Sequence, residues 1–530
     1  MTNEDPAMTP TEPPIPAPVP DRRFTWASVL LIAALALPSA LQSPWPYPTN
    51  YHGSLTAWFD LMARNMVESG FRETRFAPVI NPNPAKYPDF RWYLTHPPLD
   101  VILRAGLVKA FGPHEWVIRL QGIFGCFAGA LLLASIGRRL GLSPAASTAA
   151  AAGMIAMPLF PRLAQLSMHH PMTLFCALLA ARLWLAAGGR RPRAAALALF
   201  LALAAGMEFD WPGYFAPLLL WIAELAGKRR RLLVIGIPLA VLFAAGAFFV
   251  QVEFFVRPER GFLALLRSAT QVPGAATSAA SPLELVWMHQ RQAFGIFGLS
   301  LMGTGLVLAA FSVRRRRFLS AWALLAAFGG LHLAVFPGKA PYHDFWGCYL
   351  LPLAGFSAGL FVELVLAPLL RRLDGGRPWL VAGLSVGIAA AMLILAPKDV
   401  TAHEDGANLR SKAETIRALV PPEDRGLLLS NFELSEAQTW VLAAYTRINM
   451  LARRDLRAVD LPAFREELRT LFSHVRGRRV LFFLTEDPAH PEAVAELARA
   501  LNAAGRPWAR APGVIDLTDW LWSEAALQGR

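Results

Sequence analysis

Apolar residues along this chain come in long runs separated by short polar and basic segments. Runs near Phe24 to Leu41, His114 to Ile136, Ala145 to Phe160, Pro171 to Ala187, Ala194 to Met207, Pro212 to Leu225, Leu232 to Val252, Phe294 to Val313, Phe318 to Phe336, Phe345 to Leu366 and Trp379 to Ala396 predict about eleven membrane-spanning helices, since a hydrocarbon core of roughly 30 Å takes about 20 apolar residues to cross. Every second connection is basic: Arg22-Arg23, Arg138-Arg139, Arg190 to Arg193, Lys228 to Arg231, Arg314 to Arg317, and Arg371-Arg372 with Arg377. Basic loops stay in the cytoplasm. The N-terminus is therefore expected inside and, with an odd number of spans, the C-terminal region outside.

Shorter periodicities fill in the rest. The first outside loop, Gln42 to Pro113, holds two amphipathic stretches. In the first, Leu55, Trp58, Phe59, Met62 and Met66 share one helical face while Asp60, Arg64 and Glu68 recur four apart on the other, as in a helix lying on a membrane surface. The second follows Thr95-His96-Pro97-Pro98, with Leu99, Ile102, Leu103, Leu107 and Phe111 apolar and Asp100 and Arg104 as a four-apart pair; it stops at Gly112-Pro113. Between Glu253 and Gln292, amphipathic stretches at Arg260 to Gln271 and Leu283 to Gln292 flank a small-residue link, which reads either as a mobile element over a groove or as a passive connector. After Pro397 the pattern turns soluble, with strands at Gly426 to Leu429, Val480 to Leu484 and Val514 to Leu517 and helices at Ser435 to Tyr445, Leu461 to Phe472 and Pro491 to Ala504. The expected fold class is an α-helical polytopic membrane protein with amphipathic surface helices in the first outside loop and a small C-terminal α/β soluble domain. Its boundaries fall at 1–23 (a proline-rich, disordered cytosolic tail), 24–398 (the membrane domain) and 399–530 (the extracytoplasmic domain). A cleaved signal peptide ending near Pro38-Ser39-Ala40 is the alternative for the N-terminus.

Composition sharpens this picture. Hydrophobic residues make up 55% of the chain and charged residues only 17%. The net charge of +13 sits in short clusters between apolar runs, so it reads as topology and not as a nucleic-acid surface. Lysine is scarce against abundant arginine, alanine, glycine and proline, a composition that points to a high-GC bacterial genome, and the expected location is the bacterial cytoplasmic membrane. Cys126, Cys176 and Cys348 all lie inside apolar runs and suggest no disulfide framework. All eleven histidines fall in outside loops, adjoining helix ends or the outer domain. Chemistry is therefore sought on the outer side, although short arginine-filled inner loops would also leave histidine little room.

Four stretches carry a resemblance to a family: MARNMVESGF (Met62 to Phe71), THPPLDVILRAGLVKAFGPHEWVIRL (Thr95 to Leu120), FDWPGY (Phe209 to Tyr214) and HDFWGCYLLP (His343 to Pro352). In this order and on this side, they resemble the polytopic glycosyltransferases that take sugars from polyprenyl-phosphate carriers, including protein O-mannosyltransferases and lipid A aminoarabinose transferases. The resemblance covers roughly residues 24 to 400. Many members carry an acidic pair just before the first surface helix, where this chain reads Thr49-Asn50-Tyr51-His52-Gly53. Either Asp60 or His52 takes the acidic role, or the base comes from elsewhere.

Transfer from a lipid phosphate needs a base near the acceptor hydroxyl and a cation where charge develops on the leaving phosphate. Asp60, Asp210, His52 and Glu208 are the expected catalytic set, with Asp344 as a further base. Arg91, His96, Arg291, Lys339, His343, Asp344, Trp346 and Tyr349 are the expected contacts to substrate and lipid phosphate, and Arg72, Arg75, Arg257 and Arg260 are further cations on the same side. Each has a plainer reading. Asp60 pairs with Arg64 on a solvated face, and the cations touch only phospholipid headgroups. Glu208 and Asp210 sit at a span end, where acidic groups are costly and so more often functional. His169-His170 and His343 offer ligand types for a divalent metal ion, but without tight spacing, and no other cofactor is indicated. The implied activity is a glycosyltransferase acting on a polyprenyl-phosphate sugar and an acceptor that is a protein, glycan or lipid, among membrane lipids and without nucleic acid. A transporter or flippase for lipid-linked saccharides is the alternative.

Overall fold

A computed structural model describes residues 41–81, 90–189, 191–227, 229–258, 261–270, 281–337, 339–341, 343–369, 400–420, 427–430, 436–452, 461–471, 479–483, 505–507 and 514–522, with scattered positions elsewhere. The loop 42–113 supplies α1 (Tyr51–Ser69) and α2 (Leu99–Phe111). The bundle continues through α3 (Glu115–Leu140), α4 (Pro144–Ile155), α5 (Leu159–Gln165), α6 (His170–Ala186), α7 (Pro192–Phe209), α8 (Phe215–Ala226) and α9 (Arg231–Val250). It ends with α10 (Phe262–Thr270), α11 (Pro282–Phe311), α12 (Arg315–Val335) and α13 (Leu351–Phe361). The chain is a multi-pass membrane protein. Six helical segments among the described residues are long and apolar enough to cross a bilayer: Glu115–Leu140, Pro192–Phe209, Arg231–Val256, Pro282–Phe311, Arg315–Val335 and Trp346–Leu369, with His170–Ala186 a shorter apolar helix.

These six coincide with six of the eleven expected runs; the others break, fall short of that length or lie largely outside the described residues. The run Ala145 to Phe160 is not one helix: α4 ends at Ile155 and the chain turns before Pro158, which caps α5. A proline in mid-helix would forfeit a backbone bond and clash with the preceding turn. The 12 residues of α4 rise only about 18 Å, and α8 is equally short. The amphipathic stretch Leu283 to Gln292 and the next span join as α11, bent at Gly295, where φ is 63°. The tail 1–23 and, apart from Gly383 and Gly387, the predicted span at Trp379 to Ala396 lie outside the described residues.

A second departure concerns α1. Asn50 caps it by accepting from the Gly53 N–H at 3.0 Å, and its apolar face enters the main core through Phe59, Met62 and Met66. Its polar face is not solvated. It packs beneath α15 (Glu436–Thr446), after α14 (Val400–Leu419), so Asp60, Asn65 and Arg64 are covered or nearly so. Tyr47 stacks on Tyr445 at 5.3 Å, and Arg447 bonds Asn65 and Glu68 at 2.7 and 2.8 Å. The Asp100–Arg104 pair of α2 is likewise buried, with one guanidinium nitrogen 3.1 and 3.0 Å from the two carboxylate oxygens.

The C-terminal part carries a five-stranded sheet: β1 (Leu427–Ser430), β2 (Asn449–Ala452), β3 (Val480–Phe483), β4 (Arg506–Pro507) and β5 (Val514–Asp516), ordered β2-β1-β3-β5-β4. β1 pairs in parallel with β2 and β3; β5 runs antiparallel to β3 and β4. α16 (Leu461–Leu471) and α17 (Thr518–Trp522) complete what is described. The expected helix at Pro491 to Ala504 lies mostly outside the described residues.

Candidate functional site

Four sequence-distant segments converge on one carboxylate. Asp210 leaves the end of α7 in extended conformation and caps the turn Trp211–Tyr214, accepting from the Trp211 N–H at 2.8 Å. The turn folds back so tightly that a Cβ at Gly213 would lie 2.1 Å from the Gly206 carbonyl oxygen, so only glycine fits. The THPPL element brings His96, whose Nδ1 lies 2.8 Å from Asp210 Oδ1, and Trp211 Nε1–H donates to the Thr95 carbonyl at 2.7 Å. His169 and His170 enter where the chain passes from α5 to α6. That passage lies directly on α3, where a Cβ at Gly125 would meet the Pro171 backbone at 2.7 Å. His169 Nε2 stands 3.2 Å from Asp210 Oδ2 and His170 Nδ1 4.0 Å. From the turn before α13, Tyr349 donates its hydroxyl to Asp210 Oδ2 at 3.3 Å.

The electrostatics of this centre are unusual. Asp210 is 1% exposed. Burial alone would raise its pKa, but the neighbouring His169 and the hydrogen bond from His96 outweigh that and hold the carboxyl well below its ordinary range. Burial opposes the charged form of His169 and drives its pKa well below the ordinary imidazole value, with the Asp210 charge opposing. Neither nitrogen of His169, His170 or His332 makes a hydrogen bond among the described residues, although all three side chains are buried. The rings form a row: His96 on His169 at 4.3 Å, His169 on His170 at 4.4 Å, and His332 on Trp346 at 4.4 Å. His96, His169 and Asp210 each offer one ligand atom, all within 4.8 Å of one another, and could hold a metal ion.

A second polar group lies across Phe345. His52 Nε2 is 2.8 Å from Asp344 Oδ1, and Arg162 is 3.8 Å from the other oxygen. Burial opposes ionisation of Asp344, but the His52 bond prevails and keeps its pKa below the usual carboxylate value. His343, stacked on Trp346 at 4.8 Å, is pushed down to about 3 by burial. Lys339 is lowered by burial, with Asp210 opposing.

Beside the Asp210 centre lies a cavity of about 800 Å³. Arg72, Arg75 and Arg257 line it together with Ile102, Val250, Phe254 and Phe255, and Glu208 and Pro98 place it next to Asp210 and His96. Arg75, Phe76 and Arg257 adopt left-handed backbone angles, with φ of 53°, 55° and 51°. Such conformations are costly for residues other than glycine and gather at functional sites.

The expected residues thus divide. Asp210, His96 and Tyr349 meet in one centre, with Lys339, His343 and Trp346 around it, and Glu208 faces the cavity. His52 and Asp344 form their own pair. Asp60 lies elsewhere: it is fully buried, 2.7 and 2.6 Å from Arg64 nitrogens and 2.9 Å from the Tyr47 hydroxyl, not at an outer surface. Arg91 and Arg291 are exposed and outside both groups. Tyr47, His332 and Arg447 were not singled out by the sequence; of these, His332 carried a signal, an ionisable group near a span end.

No family profile matches the chain, and no characterised protein matches it by sequence. Solved structures share its fold. ArnT from Cupriavidus metallidurans bound to undecaprenyl phosphate superposes with a TM-score of 0.63 at 14% identity, covering 94% of this chain and 99% of that one. Its apo state gives 0.60 over the same shares at the same identity. The apo oligosaccharyltransferase of Archaeoglobus fulgidus gives 0.56 at 13% identity, covering 92% of this chain and 73% of that one.

Proposed function

We propose that this chain is a glycosyltransferase that moves a hexosyl or pentosyl group from a polyprenyl-phosphate carrier to an acceptor at the outer face of a bacterial cytoplasmic membrane, its N-terminus inside and its C-terminal domain outside. The observation that carries this reading is the pairing of an arginine-lined, apolar-walled cavity with an ionised, buried carboxylate centre next to it. An amphiphile with a phosphate head matches such a cavity: Arg72, Arg75 and Arg257 suit the phosphate, and Phe254, Phe255, Val250 and Ile102 suit the prenyl chain. A fold shared with a protein that binds undecaprenyl phosphate supports the same donor class.

In the proposed reaction the acceptor oxygen attacks the anomeric carbon, the bond from that carbon to the phosphate oxygen breaks, and polyprenyl phosphate leaves as an anion beside the arginines. The acceptor proton is taken at the Asp210 centre, where the carboxylate and the imidazoles of His96 and His169 are the bases at hand. Glu208, facing the cavity two residues away, is the second carboxylate in reach. Purified protein in nanodiscs, offered radiolabelled polyprenyl-phosphate sugars and a crude envelope acceptor, should release polyprenyl phosphate only when acceptor is present. Movement of intact lipid sugar between leaflets without bond cleavage would overturn the proposal in favour of a flippase.

A further inference from the structure

We infer that His96, His169 and Asp210 form a binding site for one divalent transition-metal ion of the zinc class. The inference deepens the proposed function at the same centre and depends on that reading only for the role of the ion.

Three observations carry it. The first is distance: His169 Nε2 lies 3.2 Å from Asp210 Oδ2 and His96 Nδ1 lies 2.8 Å from Oδ1. Ligands about 2.0–2.1 Å from a tetrahedral ion stand roughly 3.3 Å apart, and the three ligand atoms here lie within 4.8 Å of one another, so side-chain rotations that draw them inward admit one. The second is unmet bonding capacity. His169 and His170 are each 1% exposed, yet none of their four ring nitrogens makes a hydrogen bond among the described residues. Buried polar atoms without partners carry a free-energy cost that a ligand removes. The third is the support behind the carboxylate, which is aimed by the Trp211 N–H and the Tyr349 hydroxyl, as ligating carboxylates commonly are.

The donor set selects the ion. Two imidazole nitrogens and one carboxylate oxygen suit zinc or a neighbouring first-row metal, whereas magnesium and calcium take oxygen ligands. Three protein ligands leave a fourth position open, as in catalytic and not structural zinc sites. A bound ion there would polarise a hydroxyl or phosphate oxygen drawn from the adjoining cavity. With His96, His169 and Asp210 committed to a bound ion, the acceptor proton would pass instead to His170, whose Nδ1 is 4.0 Å from Asp210 Oδ2 and makes no hydrogen bond among the described residues, or to Glu208.

The test uses the full chain in detergent, purified through a tag free of histidine and dialysed against metal-free buffer. Elemental analysis should find about one zinc per chain in the wild type and in the exposed-histidine control His114→Ala, and at least tenfold less in His169→Ala and Asp210→Asn. Chelator-stripped wild type, still folded by circular dichroism, should bind cobalt(II) at one equivalent and develop the visible absorption of four- or five-coordinate cobalt. This second measurement needs no variant. No saturable cobalt absorption, or equal zinc in His169→Ala and the wild type, would overturn the site. Full sugar transfer by stripped protein would remove the ion's role and leave the transferase reading standing. Bound zinc without transfer from any polyprenyl-phosphate sugar would do the reverse.

Discussion

Asp60 and Asp210 are both buried carboxylates on the same side of one bundle, and their surroundings are opposite. Asp60 is enclosed by a guanidinium and a phenol: Arg64 contributes two nitrogens within 2.7 Å, and Tyr47 adds its hydroxyl at 2.9 Å. Burial and the Asp60 charge raise the Tyr47 pKa well above its ordinary value, so that hydroxyl stays a donor. The carboxylate is spent on locking α1 beneath the C-terminal part. Among the described residues Asp210 pairs with no arginine; imidazoles and a tyrosine surround it at up to 4.0 Å. A charge already neutralised by a fixed guanidinium has little left for a substrate. A charge held by groups that can accept, donate or ligate remains available to chemistry.

The comparison breaks most readily at Asp210. Asp210→Asn keeps size and some hydrogen bonding but removes the charge, and initial transfer rates should fall by roughly two to four powers of ten with little change in folded yield. If turnover stays near the wild-type rate, Asp210 is not at the reacting centre. Asp60→Asn should do the converse. Removing one partner of a buried pair costs about 3–5 kcal/mol, so its unfolding midpoint should drop sharply in a detergent melt while turnover per folded molecule holds. A normal melt with lost turnover would reverse the two assignments.

Smaller effects sharpen the picture. Arg72→Gln and Arg257→Gln each remove a charge from the cavity, and a charge-assisted hydrogen bond contributes about 1.5–3 kcal/mol. Donor KM should rise roughly tenfold or more for each. An unchanged KM would move the lipid phosphate out of the cavity. Acidification should act through His343, whose pKa falls from 6.5 to about 3 in the fold. Below pH 6.5 the unfolded state takes the proton and the folded state does not, so stability is complete above that value and declines toward pH 3. At one pH unit below 6.5 the loss is about 1.4 kcal/mol. Down to pH 3.8 Asp344 contributes nothing to this decline, because its depressed pKa gives stability that is lost only below that value. His343→Gln should flatten the melting profile between neutral pH and that point; an unaltered slope would assign it to other groups. The smallest effect is expected at Arg410, half-exposed and 3.0 Å from Glu115 between α14 and α3. Arg410→Ala should shift stability by less than about 1 kcal/mol, and a larger shift in the melt would mark that contact as a main tie between bundle and C-terminal part.

The chain's apolar runs determined its membrane class, and His169, Asp210, the THPPL element and the WPGY turn were all legible as separate signals, because hydrophobic length and costly polar residues at span ends are local properties. Periodicity also located α1 and α2 within a few residues. It could not say what lay above them. Asp60, Arg64 and Glu68 at four-residue spacing look the same whether water or another part of the chain covers them, and only the packing of α15 onto α1 made that face an interior. Helix continuity was illegible at Ala145 to Phe160 for a related reason: a run of small apolar residues fits an unbroken helix and a buried broken one equally well. The gathering of His96, His169, Asp210 and Tyr349 was decided by tertiary structure alone. Those residues are up to 253 positions apart in sequence, and no spacing rule connects them. Their meeting depends on glycines that let backbones touch, Gly125 under the α5–α6 passage and Gly213 in the turn, and a close approach between distant segments leaves no periodic trace along the chain.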